Sequence, residues 1–273
     1  MPSGLPKTHN VQGAQALERA IKLIRLIAAH GRAGVRQVDL IQASKLTPPT
    51  VHRLMRTLER NGYIEREDET GRYFLGPEIH ALGITASTRF DLLRAGSPAV
   101  ARLTRSTADS VVLSGRVFWH AICLARDEGE YPIRSQIMYV GQRVPLGTTA
   151  AGIAIIATLD DDEVVAALET NKDEIAAQWP RFTKTVVIDL VAQTRARGYA
   201  LNPGLVIPGS WGLAVSIRGP DGSCIGALTV SAIEQRLNAE RQAVIAATLR
   251  KEVAEVERRL LHPSGGRQGS PAK

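Results

Sequence analysis

Residues 47–66 read TPPTVHRLMRTLERNGYIER, and their periodicity decides the N-terminal fold. Thr47 is placed to cap a helix, and Pro48 takes its first position, where a missing N–H costs nothing. Val51, Leu54, Met55 and Leu58 then recur at i, i+3, i+4 and i+7. Asn61-Gly62 stops it, so the expected helix runs from Pro48 to Arg60. The apolar stripe leaves Thr50, His52, Arg53, Arg56, Thr57 and Arg60 pointing outward. Arginine pairs with guanine or with phosphate, and a major groove about 12 Å wide admits one helix. A polar face with three arginines is by itself commonly a solvated surface. The neighbouring elements decide between the two readings.

Upstream, Leu17, Ala20, Ile21, Ile24, Ile27 and Ala28 repeat at helical spacing, with Arg19, Lys22 and Arg25 opposite, up to His30-Gly31. A second short helix fits Arg36 to Ala43, and Ser44-Lys45-Leu46 reads as the turn after it. Downstream, Tyr63 to Arg66 and Arg72 to Leu75 flank a turn from Asp68 to Gly71, which makes a hairpin. Three helices and a hairpin make a winged helix, whose wing adds Arg66 and Arg72 beside a neighbouring minor groove or its phosphates. A further helical stretch from Glu78 to Leu93 reads as a linker that ends before Gly96-Ser97-Pro98.

The remainder mixes helices and strands. Helices are expected up to Thr107, over Thr149 to Leu159, Asp161 to Glu169 and Thr185 to Arg197, and along a final amphipathic run from Asn238 to Leu261. Strands are expected near Ser110 to Leu113, Val117 to Arg126, Ile133 to Val140, Tyr199 to Leu201, Gly212 to Arg218 and Ile225 to Ser231. Hairpin-like neighbours favour an α+β layer structure over a strict βαβ repeat. The 273 residues suit two domains, and the basic charge sits at the front: residues 1–90 hold 13 Lys and Arg against 8 Asp and Glu, within a net charge of +7. Two cysteines far apart and an N-terminus without an apolar signal region read as cytoplasmic and reduced. No run approaches the ~20 apolar residues that cross a bilayer, so no membrane partner is expected.

Six blocks then look familiar. ALERAIKLIRLIA, TVHRLMRTLERNGYIER, GRYFLGPEIHALG, VGQRVPLGTTAAG, ARGYALN and GALTVSAIEQRL stand in an order that resembles the IclR family of bacterial transcriptional regulators over nearly the whole chain. The resemblance implies a winged helix-turn-helix over residues 13–76 and a linker helix used in dimerisation over 77–95. It further implies a GAF-like α+β effector domain over 96–262; residues 1–12 and the tail 263–273, rich in Pro, Gly and Ser without periodicity, read as mobile and disordered from composition alone. It also implies a palindromic double-stranded DNA operator bound by a homodimer or homotetramer, with affinity set by a small-molecule effector, a carboxylate or an aromatic compound. The chain departs from the family pattern at Pro48 and Pro49, which replace a common Lys-Ser and remove a phosphate contact. Gly147 stands where His is common, and Ile153 where Lys is common.

Carried over by position, the family's effector pocket falls on Thr149, Ala150 and Ala151 at a helix start, on Asn202 and Gly212, and on Thr229 with Ser231 in one strand. Helix-start N–H groups favour an anion. Asn202 and Gly212 replace an acid and a thiol, which implies a roomier, less charged pocket beside Trp211 and, as effector, a larger or aromatic carboxylate or a neutral molecule in place of a two- or three-carbon acid. Without the family, alternating Thr and Ser read as ordinary sheet residues.

Other signals point elsewhere. His120 and Cys123 form an H-x-x-C pair, yet an odd separation in a strand puts them on opposite faces. Asp160 to Glu163 reads as a helix start. No nucleotide-binding glycine pattern or nucleophile motif occurs, so neither cofactor, metal nor catalysis is expected. Two rival readings remain open: an enzyme with an accessory helical domain, and a constitutive DNA-binding module with a degenerate pocket.

Overall fold

The computed structural model describes residues 14–87, 92–133 and 138–262. The chain divides into two compact units between residues 90 and 91. The two ends read as mobile, residues 1–12 and the tail 263–273, lie outside the described residues.

In the first unit, α1 (Gln15–Ala29), α2 (Gln37–Ser44) and α3 (Pro48–Arg60) precede a hairpin of β1 (Ile64–Arg66) and β2 (Tyr73–Leu75), then α4 (Pro77–Ser87). Leu23, Ile27, Leu40, Val51, Met55, Leu58, Ile64 and Tyr73 close one core. Val35 joins the hairpin by a reciprocal pair, its N–H donating to the Tyr73 carbonyl at 3.1 Å and its carbonyl accepting from the Tyr73 N–H at 2.8 Å. The turn before α3 is built on Lys45 in the left-handed region and on Ser44, whose Oγ donates to the Ile41 carbonyl.

The apolar stripe of α1 is rotated from the expected one. Leu23 and Ile27 are buried, whereas Leu17 is 63% and Ile21 38% exposed. The apolar belt is wider than the surface α2 and α3 cover, so one edge of it stays outside. Thr47 precedes α3 without capping it: its hydroxyl shares a 2.9 Å hydrogen bond with that of Thr50. Pro48 and Pro49 fill the first two helical positions, so two of the end amides that a cap would satisfy do not exist.

The second unit is an antiparallel six-stranded sheet in the order β5 (Arg143–Pro145), β4 (His120–Asp127), β3 (Ser110–Val117), β8 (Cys224–Ile233), β7 (Ser210–Arg218), β6 (Ala200–Ile207). Residues alternate between its faces. Val111, Leu113, Leu213 and Leu228 pack with α5 (Leu92–Thr107) and α10 (Ala239–Leu261). Val112, Cys123, Ala214 and Ala227 pack with α6 (Ala150–Ile156), α7 (Asp161–Thr170), α8 (Lys172–Gln178) and α9 (Lys184–Arg197). This is the expected α+β class.

The elements depart from the expected ones in four places. Gly96-Ser97-Pro98 lies inside α5 and does not end a linker helix. A Cβ at Gly96 would stand 2.6 Å from Leu113, so the glycine serves the close approach of helix to sheet. No strand occupies the described part of Ile133 to Val140; the strand beside β4 is β5, and the connection is held by the Arg126 guanidinium on the Met138 carbonyl at 2.8 Å. The strand expected near Tyr199 to Leu201 runs on as β6 through Pro203-Gly204, with a register shift. The short α8, with Ile175 as its one buried residue, had too little periodicity to be seen.

A buried charge joins the end of α5 to the start of α10. The Asp109 side chain is 2% exposed; it accepts from Arg236 Nε at 2.8 Å and from Arg241 Nη2, and both arginines also donate to the Thr107 carbonyl. Arg236 further lies 4.0 Å from the Tyr131 ring. Removing one member of a buried pair leaves the other uncompensated. Asp109→Ala should lower stability by about 2–3 kcal/mol, less than for a fully dry pair because both guanidinium groups keep some water. Urea unfolding checks this.

Candidate functional site

The first candidate surface is the outer face of α3. Val51, Met55 and Leu58 are buried, which fixes the rotation of the helix and turns His52, Arg53, Arg56, Thr57 and Arg60 outward, with Thr50 half-buried. Thr57 Oγ1 donates to the Arg53 carbonyl, and Asn61 Nδ2 closes the helix on the Thr57 carbonyl at 2.7 Å. Among the described residues, Arg53, Arg56 and Arg60 have no acidic partner within ion-pair distance. Three unneutralised cations therefore share one rigid face with a histidine and two threonines.

The two wing arginines differ. Arg66 is exposed at the end of β1. Arg72 Nη1 donates to the carbonyls of Ala33 and Gly34 at 3.1 and 3.2 Å, so its head group ties the wing to the turn after α1. It is held away from the free surface that the sequence reading gave it.

The second candidate is a cleft between the sheet and α6. All seven residues named from the sequence, Thr149, Ala150, Ala151, Asn202, Gly212, Thr229 and Ser231, line it. The alternation explains the convergence: Gly212 faces Ser231 and Asn202 in register, and Thr229 faces Val112. Val112, Ser114 and Met138 complete the lining and were missed. Ser114 shares the Val112 face of β3, which runs beyond the expected end at Leu113, and nothing in the sequence says which face meets α6.

Five details differ from expectation. The cleft encloses about 20 Å³, room for roughly one water molecule, and is not roomy. The space beside Gly212 is taken by α6: a Cβ there would meet the Ala150 Cβ at 3.0 Å. Asn202 is engaged structurally, its Nδ2 donating to the Thr148 carbonyl at 3.2 Å and its Oδ1 accepting from Leu205 N–H at 2.9 Å. Trp211 falls on the opposite face of β7, packed with the α5 and α10 core. At the helix start, Thr149 Oγ1 accepts from Gly152 N–H at 3.1 Å, which uses one of the amides expected to face an anion.

The chemistry of the remaining signals is modest. His120 Nε2 lies 3.2 Å from Glu174 Oε2 on α8, while Cys123 is buried and donates to the Ala125 carbonyl. Among the described residues no group of three His, Cys, Asp or Glu is arranged to hold a metal ion. Burial pushes the Cys123 thiol up to about 11 and raises that of Cys224, so both are poor nucleophiles. Asp160 caps α7, its Oδ1 accepting from Glu163 N–H at 2.8 Å. No helix among the described residues is long and apolar enough to cross a membrane.

Comparison with known proteins agrees with this geometry. Residues 16–68 match the IclR helix-turn-helix domain, and residues 84–258 match the bacterial transcriptional regulator IclR C-terminal domain. The HTH-type transcriptional regulator XynR of Escherichia coli (strain K12) is 27% identical over 229 residues, covering 82% of this chain and 88% of that protein. The IclR-type transcriptional regulator of Alicyclobacillus acidocaldarius shares the fold, with a TM-score of 0.74, 20% identity and coverage of 90% and 98%. So does an IclR homolog from Microbacterium hydrocarbonoxydans in complex with 4-hydroxybenzoate, with a TM-score of 0.70, 20% identity and the same coverage.

Two outcomes follow for the cleft. Asn202→Ala strands a buried carbonyl and a part-buried amide, and should cost about 2 kcal/mol in chemical denaturation. The native protein at pH 8 should react with a thiol reagent only at the rate of its unfolding, both thiols being buried and largely protonated; fast modification of either cysteine contradicts the packing.

Proposed function

The chain belongs to the IclR family of bacterial transcriptional regulators, and from that premise we propose that it is a ligand-responsive regulator of a catabolic pathway in the cytoplasm. It binds a palindromic DNA operator as a homodimer or dimer of dimers, and a small carboxylate or aromatic effector sets its affinity. The observation that carries this reading is the unneutralised Arg53, Arg56 and Arg60 on the exposed face of a helix whose rotation the core fixes. His52, Arg53 and Arg56 are the base-reading centre, Thr50, Thr57, Arg60 and Arg66 flank it, and Arg72 holds the wing in place. Residues 13–76 act as the DNA-binding domain, 77–95 as the linker used in dimerisation and 96–262 as the effector domain.

The cleft against α6 supports an effector site. It is lined by polar and small residues at the interface of sheet and helix, where a ligand would press on α6. An effector larger than a water molecule enters only if the lining moves. Binding therefore favours a conformer with an opened cleft, and an effector that prefers one conformer shifts the whole population. The Microbacterium homolog's 4-hydroxybenzoate is an aromatic acid of the size this reading calls for.

Arg53→Ala and Arg56→Ala should each weaken binding about tenfold or more to a DNA fragment selected by the wild-type protein from a random pool. Gel retardation unchanged in both variants would remove the assigned base-reading centre. The Asn202→Ala protein, folded at low temperature, serves as the control for destabilisation alone.

A further inference from the structure

Two hydroxyls in the cleft stand without partners. Ser114 on β3 is fully buried and Thr229 on β8 is 6% exposed, and neither Ser114 Oγ nor Thr229 Oγ1 has a hydrogen-bond partner. Both line the same cleft. They share one sheet face because Thr229 is paired with Val112, two residues before Ser114 on the strand. Buried hydroxyls are ordinarily satisfied, and an unsatisfied one destabilises the fold that holds it. Two at one place, beside the cleft attributed to the effector, mark a position where the fold forgoes stability for a binding group.

The rest of the lining says what that group is. No charged side chain lines the cleft among the described residues; Val112, Met138, Ala150 and Ala151 are apolar, and Asn202 is spent on the backbone. An ionised carboxylate driven between Ser114 and Thr229 would lose its hydration with no cation in return. A hydroxyl or carbonyl loses little, and each protein hydroxyl can donate or accept as required. We propose that Ser114 and Thr229 together bind an uncharged hydroxyl or carbonyl oxygen of the effector. The ligand class is an alcohol, phenol or ketone at its inner end, and any carboxylate it carries stays outside the hydroxyl pair. The proposal rests on the reading of this cleft as the effector site, and Ser114 is the residue it adds.

The test has two arms on the full chain. Ser114→Ala and Thr229→Val keep the side-chain shape and remove the hydroxyl, so without ligand each should raise Tm by about 2–5 °C. An unchanged or lowered Tm in both shows that the hydroxyls are satisfied within the fold, and overturns the proposal. In the second arm, phenol and glycerol, as neutral probes, are set against benzoate and glyoxylate at millimolar concentration. A Tm rise with a neutral probe, lost in Thr229→Val and Ser114→Ala, is the expected result. A rise with the acids only, with neither set, or equally in the variants overturns it. Retardation of the selected DNA by the wild-type protein is measured alongside: if it is intact while the neutral probes fail, the ligand class is wrong; if it is absent, the regulator reading itself is wrong.

Discussion

The pleat of the sheet is the constraint on which the second unit depends. Each of β3, β7 and β8 must satisfy two different layers at once, so every second residue belongs to a different core. A slip of one residue along β8 would move Leu228 and Val230 into the cleft and Thr229 and Ser231 into the layer against α5 and α10. The large side chains lie on that second face, while the cleft face is small: Ala214, Ala227 and Gly212 let α6 come down onto the strands. The position of the polar lining is therefore set by register, which the large side chains on the opposite face hold in place.

The first unit obeys a simpler rule, in which one helix face is consumed by the core and the opposite face is thereby fixed. That is why the bounds of α3 were legible from its sequence, and with them the outward position of Arg53 and Arg56. The face of α1 was not legible to the same degree. Its apolar positions span more of the circumference than its partners cover, and periodicity alone does not say which edge of a wide stripe is buried.

The cleft was legible in membership and illegible in character. Seven positions carried over from family blocks came together because the register of β6, β7 and β8 brings them together. Their roles were not readable: Asn202 looked like a ligand contact and is a brace for the turn before α6, and Gly212 looked like added space and is a docking point for a helix. Ser114 carried no distinguishing mark, since one serine in a strand is ordinary until its neighbours across the sheet are known. Glycine and proline misled for the same reason. Gly96-Ser97-Pro98 has the composition of a break, and tertiary packing overrode it.

The paired prolines that open α3 have a consequence beyond the start of a helix. A helix end with its first amides intact can hold a phosphate through neutral backbone dipoles, an attraction that depends little on the surrounding salt. Pro48 and Pro49 contribute no such amides. In the proposed DNA contact the grip then falls to guanidinium groups, whose contribution comes largely from the release of counterions and fades as those ions become concentrated. The proposed contact therefore makes ionic strength itself a lever on DNA affinity, with a looser hold as that strength rises.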